Sequence, residues 1–348
     1  MFRAIAMRVP QIKRLWDERQ ALIDERDQLL VEKSKLQRRA PADIFRFAFG
    51  EDPTPSELQV IDAFPPGEEG LTTLRRLLTM YDRQAHSSPI TVRFRSDDIS
   101  EVQRNGFKLM SDRFDGAVGA HLVAGAEYEP HLETFVRKHL TLGMHALDIG
   151  ANVGYFTMAM ASIVGDAGHI HAFEPNTENC RLLLLNQAVN EFTNVTLHPF
   201  ALSSENGTAY YAPQIGSNGS FMPSDQQTLM HPNCVVIPTM RLDEVINDKV
   251  NFIKADIEGA EYLALSGGEQ LIRKHKPIIT IEFSLEMTER VSGVSGKAFL
   301  EWITALGYSI RVLERTGGER SVSSVDELLS SWGNYLRIED LALVPTAQ

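Results

Sequence analysis

Hydrophobic positions recur along this chain in two rhythms, and the change between them falls near residue 141. Before it, Leu15, Leu22, Leu29 and Leu36 recur at seven-residue spacing with Ile12, Ile23 and Leu30 beside them. This spacing predicts an amphipathic helix over residues 1–40, a candidate coiled coil for pairing two copies or docking a partner. Arg19, Arg26 and Lys33 fall at the alternate seam positions and count against a two-stranded zipper, which leaves a solvated helix packed on its own domain as the other reading. Pro41 ends the pattern. Residues 41–90 read as a small helical module closing in the linker "HSSPI", and residues 91–140 as a lead-in of short strand and turn patterns. That lead-in finishes in a helix, "YEPHLETFVRKHL", with Phe135, Val136 and Leu140 on one side.

From residue 141 short apolar runs alternate with helical periods. "HALDIG", "HIHAFEP", "NVTLHPFAL", "VNFIKADIEG", "KPIITIEFS", the end of "GKAFLEWITALGYSIRVL" and "NYLRIEDLALVP" read as strands. Between them, "GYFTMAMASIVG", "NTENCRLLLLNQAVNE" and "AEYLALSGGEQLIRKH" read as helices. Alternation of this kind predicts an α/β doubly wound, Rossmann-like sheet over residues 141–348.

Composition narrows the class. The 348 residues carry a net charge of −12, which argues against a nucleic-acid partner, although residues 1–40 are locally basic. Only Cys180 and Cys234 are present, too few for a disulfide framework and without zinc spacing, so no metal site is expected and a reducing cytoplasm fits. No apolar run reaches the roughly 18 residues of a spanning helix. The basic start lacks the apolar core of a cleaved leader.

The chemistry centres on "LDIGANVGYF" at residues 147–156. A dinucleotide fingerprint needs glycines where this chain has Asn152 and Tyr155, and no Gly-Lys-Ser/Thr follows for a phosphate loop. Asp148 ends the first strand, where an acid suits a cationic cofactor. Glu174 ends the second, where a carboxylate can accept both hydroxyls of a ribose. S-adenosylmethionine, with its sulfonium and ammonium, meets both demands. Taken singly, Asp148 could be a turn acid and Glu174 a surface acid.

The stretches "LDIGANVGYFT", "AFEPNTEN", "NFIKADIEGAEYLAL" and "PIITIEF" resemble the FkbM family of S-adenosylmethionine-dependent methyltransferases over roughly residues 127–345. The resemblance implies a class I methyltransferase fold with a seven-stranded, mostly parallel sheet. It implies methylation of a hydroxyl on a sugar, glycan or natural product, with S-adenosylhomocysteine as the other product. It also implies a cofactor wall of Glu129 (in "YEP"), Asp148, Gly150, Ala151, Asn152, Gly154, Tyr155, Glu174, Pro175, Asn176, Ala201, Leu202 and Asp256.

A hydroxyl must lose its proton as it is methylated, so a general base is sought. Asp256, opening the turn after the fourth strand, comes first, followed by Glu258 and by Glu282 at the end of the fifth strand. Glu258 and Glu261 read equally well as acids stabilised at a helix N-terminus. His231, a further candidate for the base or a substrate contact where it is not simply a solvated loop residue, lies in the long Gly-, Ser- and Asn-containing segment between the third and fourth strands, which reads as a substrate loop or hairpin. N-methylation, and a cofactor-binding module that works by assembly through the N-terminal helix, stand as alternatives.

Overall fold

The computed structural model describes residues 99–346, except 113–114, 116–117, 124, 126, 214–217, 223–228, 231–233, 331 and 333–336. The heptad helix, the module at 41–90 and His231 lie outside the described residues. Residues Val92–Gln348 form one compact unit.

In chain order, strands β1 (Ile99–Arg104) and β2 (Phe107–Asp112) precede helices α1 (Gly119–Val123) and α2 (Pro130–His139). The alternation follows: β3 (His145–Ile149), α3 (Tyr155–Val164), β4 (His169–Phe173), α4 (Thr177–Val189) and β5 (Val195–His198). Four strands come next, β6 (Ala201–Leu202), β7 (Gly207–Pro213), β8 (Gly219–Met222) and β9 (Val235–Met240), and then α5 (Leu242–Val245). The chain continues through β10 (Phe252–Ala255), α6 (Glu261–Ser266), α7 (Glu269–His275), β11 (Ile278–Phe283), α8 (Leu285–Ser292) and α9 (Gly296–Ala305). It ends with β12 (Tyr308–Leu313), β13 (Glu319–Ser321), α10 (Val325–Ser330) and β14 (Glu339–Pro345).

The main sheet runs β13-β12-β14-β11-β10-β3-β4-β5. Its centre, from β11 to β5, is parallel, and β14 lies antiparallel between β11 and β12. The sheet therefore has eight strands where seven were expected. The eighth, β13, arises because Gly317 (φ 86) and Gly318 (φ 131) turn the chain back so that Glu319 pairs with Leu313. Successive residues serve opposite layers, as a pleated strand requires. Leu147, Ile149, Ile253, Ala255 and Phe173 join the core that contains Phe299, Leu300 and Ile303 of α9. Ala146, Ile170, Ala172 and Phe252 join the core beneath α3 and α4. A parallel sheet covered on both faces has apolar residues on both, which is why the strands read as continuous apolar runs.

The lead-in packs on the second of these layers. The β1–β2 hairpin buries Phe107 and Leu109 in it. Asn190, just past α4, accepts the Lys108 N–H at 2.7 Å and donates to the Lys108 carbonyl at 2.7 Å, so a side chain occupies part of the strand's open edge.

Two local expectations are corrected. "NVTLHPFAL" is two strands, since Pro199 has no N–H to continue the ladder, and β6 leaves the main sheet to pair with β9. "AEYLALSGGEQLIRKH" is two helices. A side chain at Gly267 would come within 2.1 Å of the Ser203 carbonyl, and one at Gly268 within 2.5 Å of Leu242, so close packing breaks the helix there. The segment between β5 and β10 contains a second sheet, ordered β6-β9-β7-β8, around Ala201, Tyr211 and Ile237.

Candidate active site

Strand order reverses between β3 and β10: the chain winds outward through β4 and β5 on one side and β11 on the other. Turns that leave such a point diverge and open a crevice at the carboxyl ends of the strands. A cleft of about 1010 Å³, its open mouth included, lies there.

The turn after β3 has its shape for a reason internal to the protein. Gly150 has φ 79, and a Cβ there would lie 2.0 Å from the Asp256 carbonyl oxygen, so only glycine lets the ends of β3 and β10 approach. The Gly150 and Ala151 N–H groups both donate to the Phe173 carbonyl at 3.0 Å. Asn152, at φ 51, then directs its N–H to Glu174 Oε2 at 2.8 Å, while the Asn176 N–H donates to Oε1 at 2.8 Å. Glu174 is buried at the end of β4, and burial raises its pKa to about 7. The Asn179 side chain adds a third hydrogen bond to this carboxyl.

The opposite wall rises from β10 and β11. Lys254 is buried, and its Nζ donates to Asp256 Oδ2 at 3.2 Å and stands 3.7 Å from Asp148 Oδ1 and 5.2 Å from the Phe156 ring centre. Burial works to lower the Lys254 pKa, but the carboxylates of Asp256, Asp148 and Glu129 outweigh it and hold the ammonium above the usual lysine range. Asp256 has 26% of its side chain exposed. Glu258 follows at φ 56, and burial, then Asp256, raises its pKa. Burial and Asp256 raise Glu282 to about 10. Glu129, at φ 42 just before α2, is raised to about 7 by the same two causes.

The structure thus brings Asp256, Glu258 and Glu282 together on the cleft with Glu129, Gly150, Ala151, Asn152, Tyr155, Glu174, Pro175, Ala201 and Leu202. It does not place Asp148, Gly154 or Asn176 on that surface. Asp148 lies fully buried in the sheet, where Oδ2 accepts the Thr157 hydroxyl at 2.5 Å. Gly154, at φ 92, precedes α3, and Asn176 caps α4 by accepting the Glu178 N–H at 2.9 Å. Glu261 turns inward as well, accepting the Ile257 N–H at 2.8 Å and the Gly259 N–H at 3.3 Å, so it fixes the turn that carries Glu258.

Sequence reasoning passed over Lys254, Tyr128, Phe200, and the β7–β8 residues Tyr211, Asn218 and Phe221, all of which line the cleft. Lys254 carried one signal, a charge inside an apolar strand two residues before an acid. The hairpin's position over the cleft carried none, because it depends on how the second sheet packs.

Residues 148–310 match the family model described as the Methyltransferase FkbM domain. Over that stretch the chain is similar to FkbM methyltransferase domains. The matched stretch is shorter than the 127–345 resemblance and leaves out Glu129. Solved structures similar to this chain include a methyltransferase FkbM from Methylobacillus flagellatus, 18% identical over 57% of this chain and 43% of that one, with a TM-score of 0.37. This chain thus spans less than half the length of that protein. A putative rRNA-methylase from Clostridium thermocellum is 13% identical over 63% of this chain and 96% of its own, with a TM-score of 0.38. An O-methyltransferase from Thermotoga maritima is 14% identical over 63% of this chain and 66% of its own, with a TM-score of 0.35. No curated protein matches the chain.

The cofactor of the FkbM domain is S-adenosylmethionine, and the lining of this cleft fits it. Among the described residues the cleft's ionisable side chains of Asp, Glu and Lys are the carboxyls of Glu129, Glu174, Asp256, Glu258 and Glu282 and the ammonium of Lys254. Lys254 is already engaged by carboxylates, so the surface suits a cation and a diol and offers nothing to a pyrophosphate. No group of described residues has the geometry of a metal site, and no described helix is long and apolar enough to cross a membrane.

Proposed function

We propose that the domain methylates a hydroxyl group on a sugar, glycan or natural-product acceptor, with Asp256 taking the hydroxyl's proton. The observation that carries this reading is Asp256 itself: a partly exposed carboxylate on the cleft, paired with a buried ammonium at 3.2 Å and surrounded by acids that burial biases toward their neutral forms.

When bound, S-adenosylmethionine supplies a methyl group on a sulfonium, whose departure needs no acid. In this reading Glu174 holds the ribose hydroxyls, and Glu129 faces the cationic methionine end. The apolar surface of Phe200, Ala201 and Leu202 takes the adenine. Protonated Glu282 can donate to one acceptor hydroxyl and accept from another, as recognition of a polyol requires. Holding the acceptor in a reactive pose accounts for the largest share of the rate, up to about 7–11 kcal/mol of barrier in well-oriented systems. Proton removal by Asp256 adds roughly 10²–10⁴-fold. An amine would be held by these carboxylates as an ammonium ion, which has no lone pair to receive the methyl group, and this favours the hydroxyl. The free thiols of Cys180 and Cys234 agree with a reducing cytoplasm.

The test is to incubate the full-length protein with S-adenosylmethionine and parallel panels of polyols and amines, measuring S-adenosylhomocysteine and locating the transferred methyl. Ether products support the reading. Products methylated only at nitrogen would replace it with N-methylation. Cofactor binding without turnover on any acceptor would replace it with a binding module.

A further inference from the structure

Lys254 and Asp256 sit two residues apart at the end of β10, so their side chains leave the same side of the chain. Lysine is an expensive residue at such a place. The side chain is 4% exposed, and an ammonium removed from water is tolerated only among opposite charges. Two carboxylates share it, and they are not equivalent. Asp148, across the sheet on β3, is entirely buried and already accepts the Thr157 hydroxyl, while its Oδ1 lies 3.7 Å from Nζ with no hydrogen-bond partner. Asp256 is nearer, at 3.2 Å, takes a hydrogen bond from Nζ, and alone of the two reaches the cleft.

We infer that Lys254 is the positioning residue for Asp256, pinning Oδ2 at the floor of the cleft and favouring by its charge the carboxylate that accepts a proton. Asp148 serves as the buried counter-charge that keeps the ammonium in place. This inference rests on the reading of Asp256 as the base. It also explains why one acid in a crowded cluster is set apart. Glu129 before α2, Asp148 on β3, Glu258 and Glu261 after β10, and Glu282 on β11 all act electrostatically on Asp256 or Lys254. So does Tyr128, and behind Glu282 stands Asp340 of β14, itself 2.6 Å from His131 Nε2. Lys254 is the one cation lining the cleft among the described residues, and its hydrogen bond goes to Asp256.

Lys254→Met alone would strand the Asp148 charge, so the informative comparison is Asp148→Asn against Asp148→Asn/Lys254→Met, both in the full-length protein. Between these two proteins only residue 254 differs. Relative to Asp148→Asn, the double variant should fold, bind S-adenosylhomocysteine within about threefold, lose at least about 10-fold in kcat, and show the acid limb of its pH–rate profile moved to higher pH. A companion, Asp148→Asn/Lys254→Gln, keeps a hydrogen-bond donor without the charge and should show the same displaced limb with a smaller loss of kcat. Equal kcat and an unmoved limb in the double variant would overturn the inference and leave Lys254 as a neutraliser of Asp148 alone. Failure of both double variants to fold would also overturn it, making Lys254 a residue of the fold. If the wild-type protein methylates no acceptor, the proposed function fails, and Lys254 is judged separately by carboxyl-carbon NMR. In that case the Asp256 signal, assigned by its loss in Asp256→Asn, should titrate at higher pH in the double variant than in Asp148→Asn.

Discussion

The two walls of the cleft present carboxylates to the same space and hold them in opposite ways. Glu174, at the end of β4, receives backbone N–H groups from Asn152 and Asn176, each at 2.8 Å. Its position is set by main chain that the fold cannot easily move. Asp256, at the end of β10, is held by a side chain, Lys254, and shares its surroundings with Glu129, Glu258 and Glu282. A backbone-clamped carboxylate is a fixed acceptor, suited to holding a ligand in one pose. A carboxylate held by one side chain and partly open to the cleft is placed to meet an acceptor's hydroxyl. In the proposed function the difference separates a binding wall from a chemical wall.

The sharpest way to break this division is Asp256→Asn. The substitution keeps size and hydrogen bonding and removes the charge, so turnover should fall by roughly 10²-fold or more while the Kd for S-adenosylhomocysteine changes much less. Steady-state kinetics and calorimetry on the same preparation decide it. A Kd that worsens as much as kcat would move Asp256 to the binding wall.

Glu174→Ala should do the reverse. Losing a charged acceptor commonly costs about 1.5–3 kcal/mol, so S-adenosylhomocysteine affinity should weaken by roughly one to two orders of magnitude. Unchanged affinity by calorimetry would show that the ribose is held elsewhere.

A smaller effect, on stability, should come from Glu282→Gln. Folding raises this carboxyl from 4.5 to about 10 through burial and the neighbouring Asp256. Above its unfolded pKa the unfolded chain releases a proton that the folded protein retains, so the group's contribution to stability is complete below about 4.5 and is lost as pH rises toward about 10. Glutamine has no proton to lose. The variant's Tm without ligand should therefore exceed the wild type's by several degrees near pH 8 and by little near pH 5. Equal differences at both pH values would refute the assignment.

The smallest effect on the cleft should follow deletion of residues 1–40. Cofactor affinity should stay as it is, while self-association, measured by light scattering, should fall. An unchanged mass would reject the pairing role read from the leucine spacing.

Much of this was legible in the residues themselves. Alternating strands and helices follow from hydrophobic periodicity, which is local, and the acids that end strands fall at the cleft because parallel α/β sheets open at their carboxyl edge. Glu174, Asp256 and Glu282 could be picked out for that reason. The sequence could not say which acids face the cleft and which face the protein. Asp148 and Glu261 look as chemical as Asp256 when written in a line. One ends beneath α3 beside Thr157, and the other folds back onto the Ile257–Gly259 turn. The role of Gly150 was hidden in the same way: its missing side chain makes room for the Asp256 carbonyl, contributed by a strand more than a hundred residues later. The sequence by itself determined the alternation of the central strands and helices and the residue types at strand ends, because both depend on near neighbours. The tertiary structure alone decided the eighth strand, the second sheet over the cleft and the partner of Lys254, because each depends on side chains distant in the chain that only the folded sheet brings within a few ångströms.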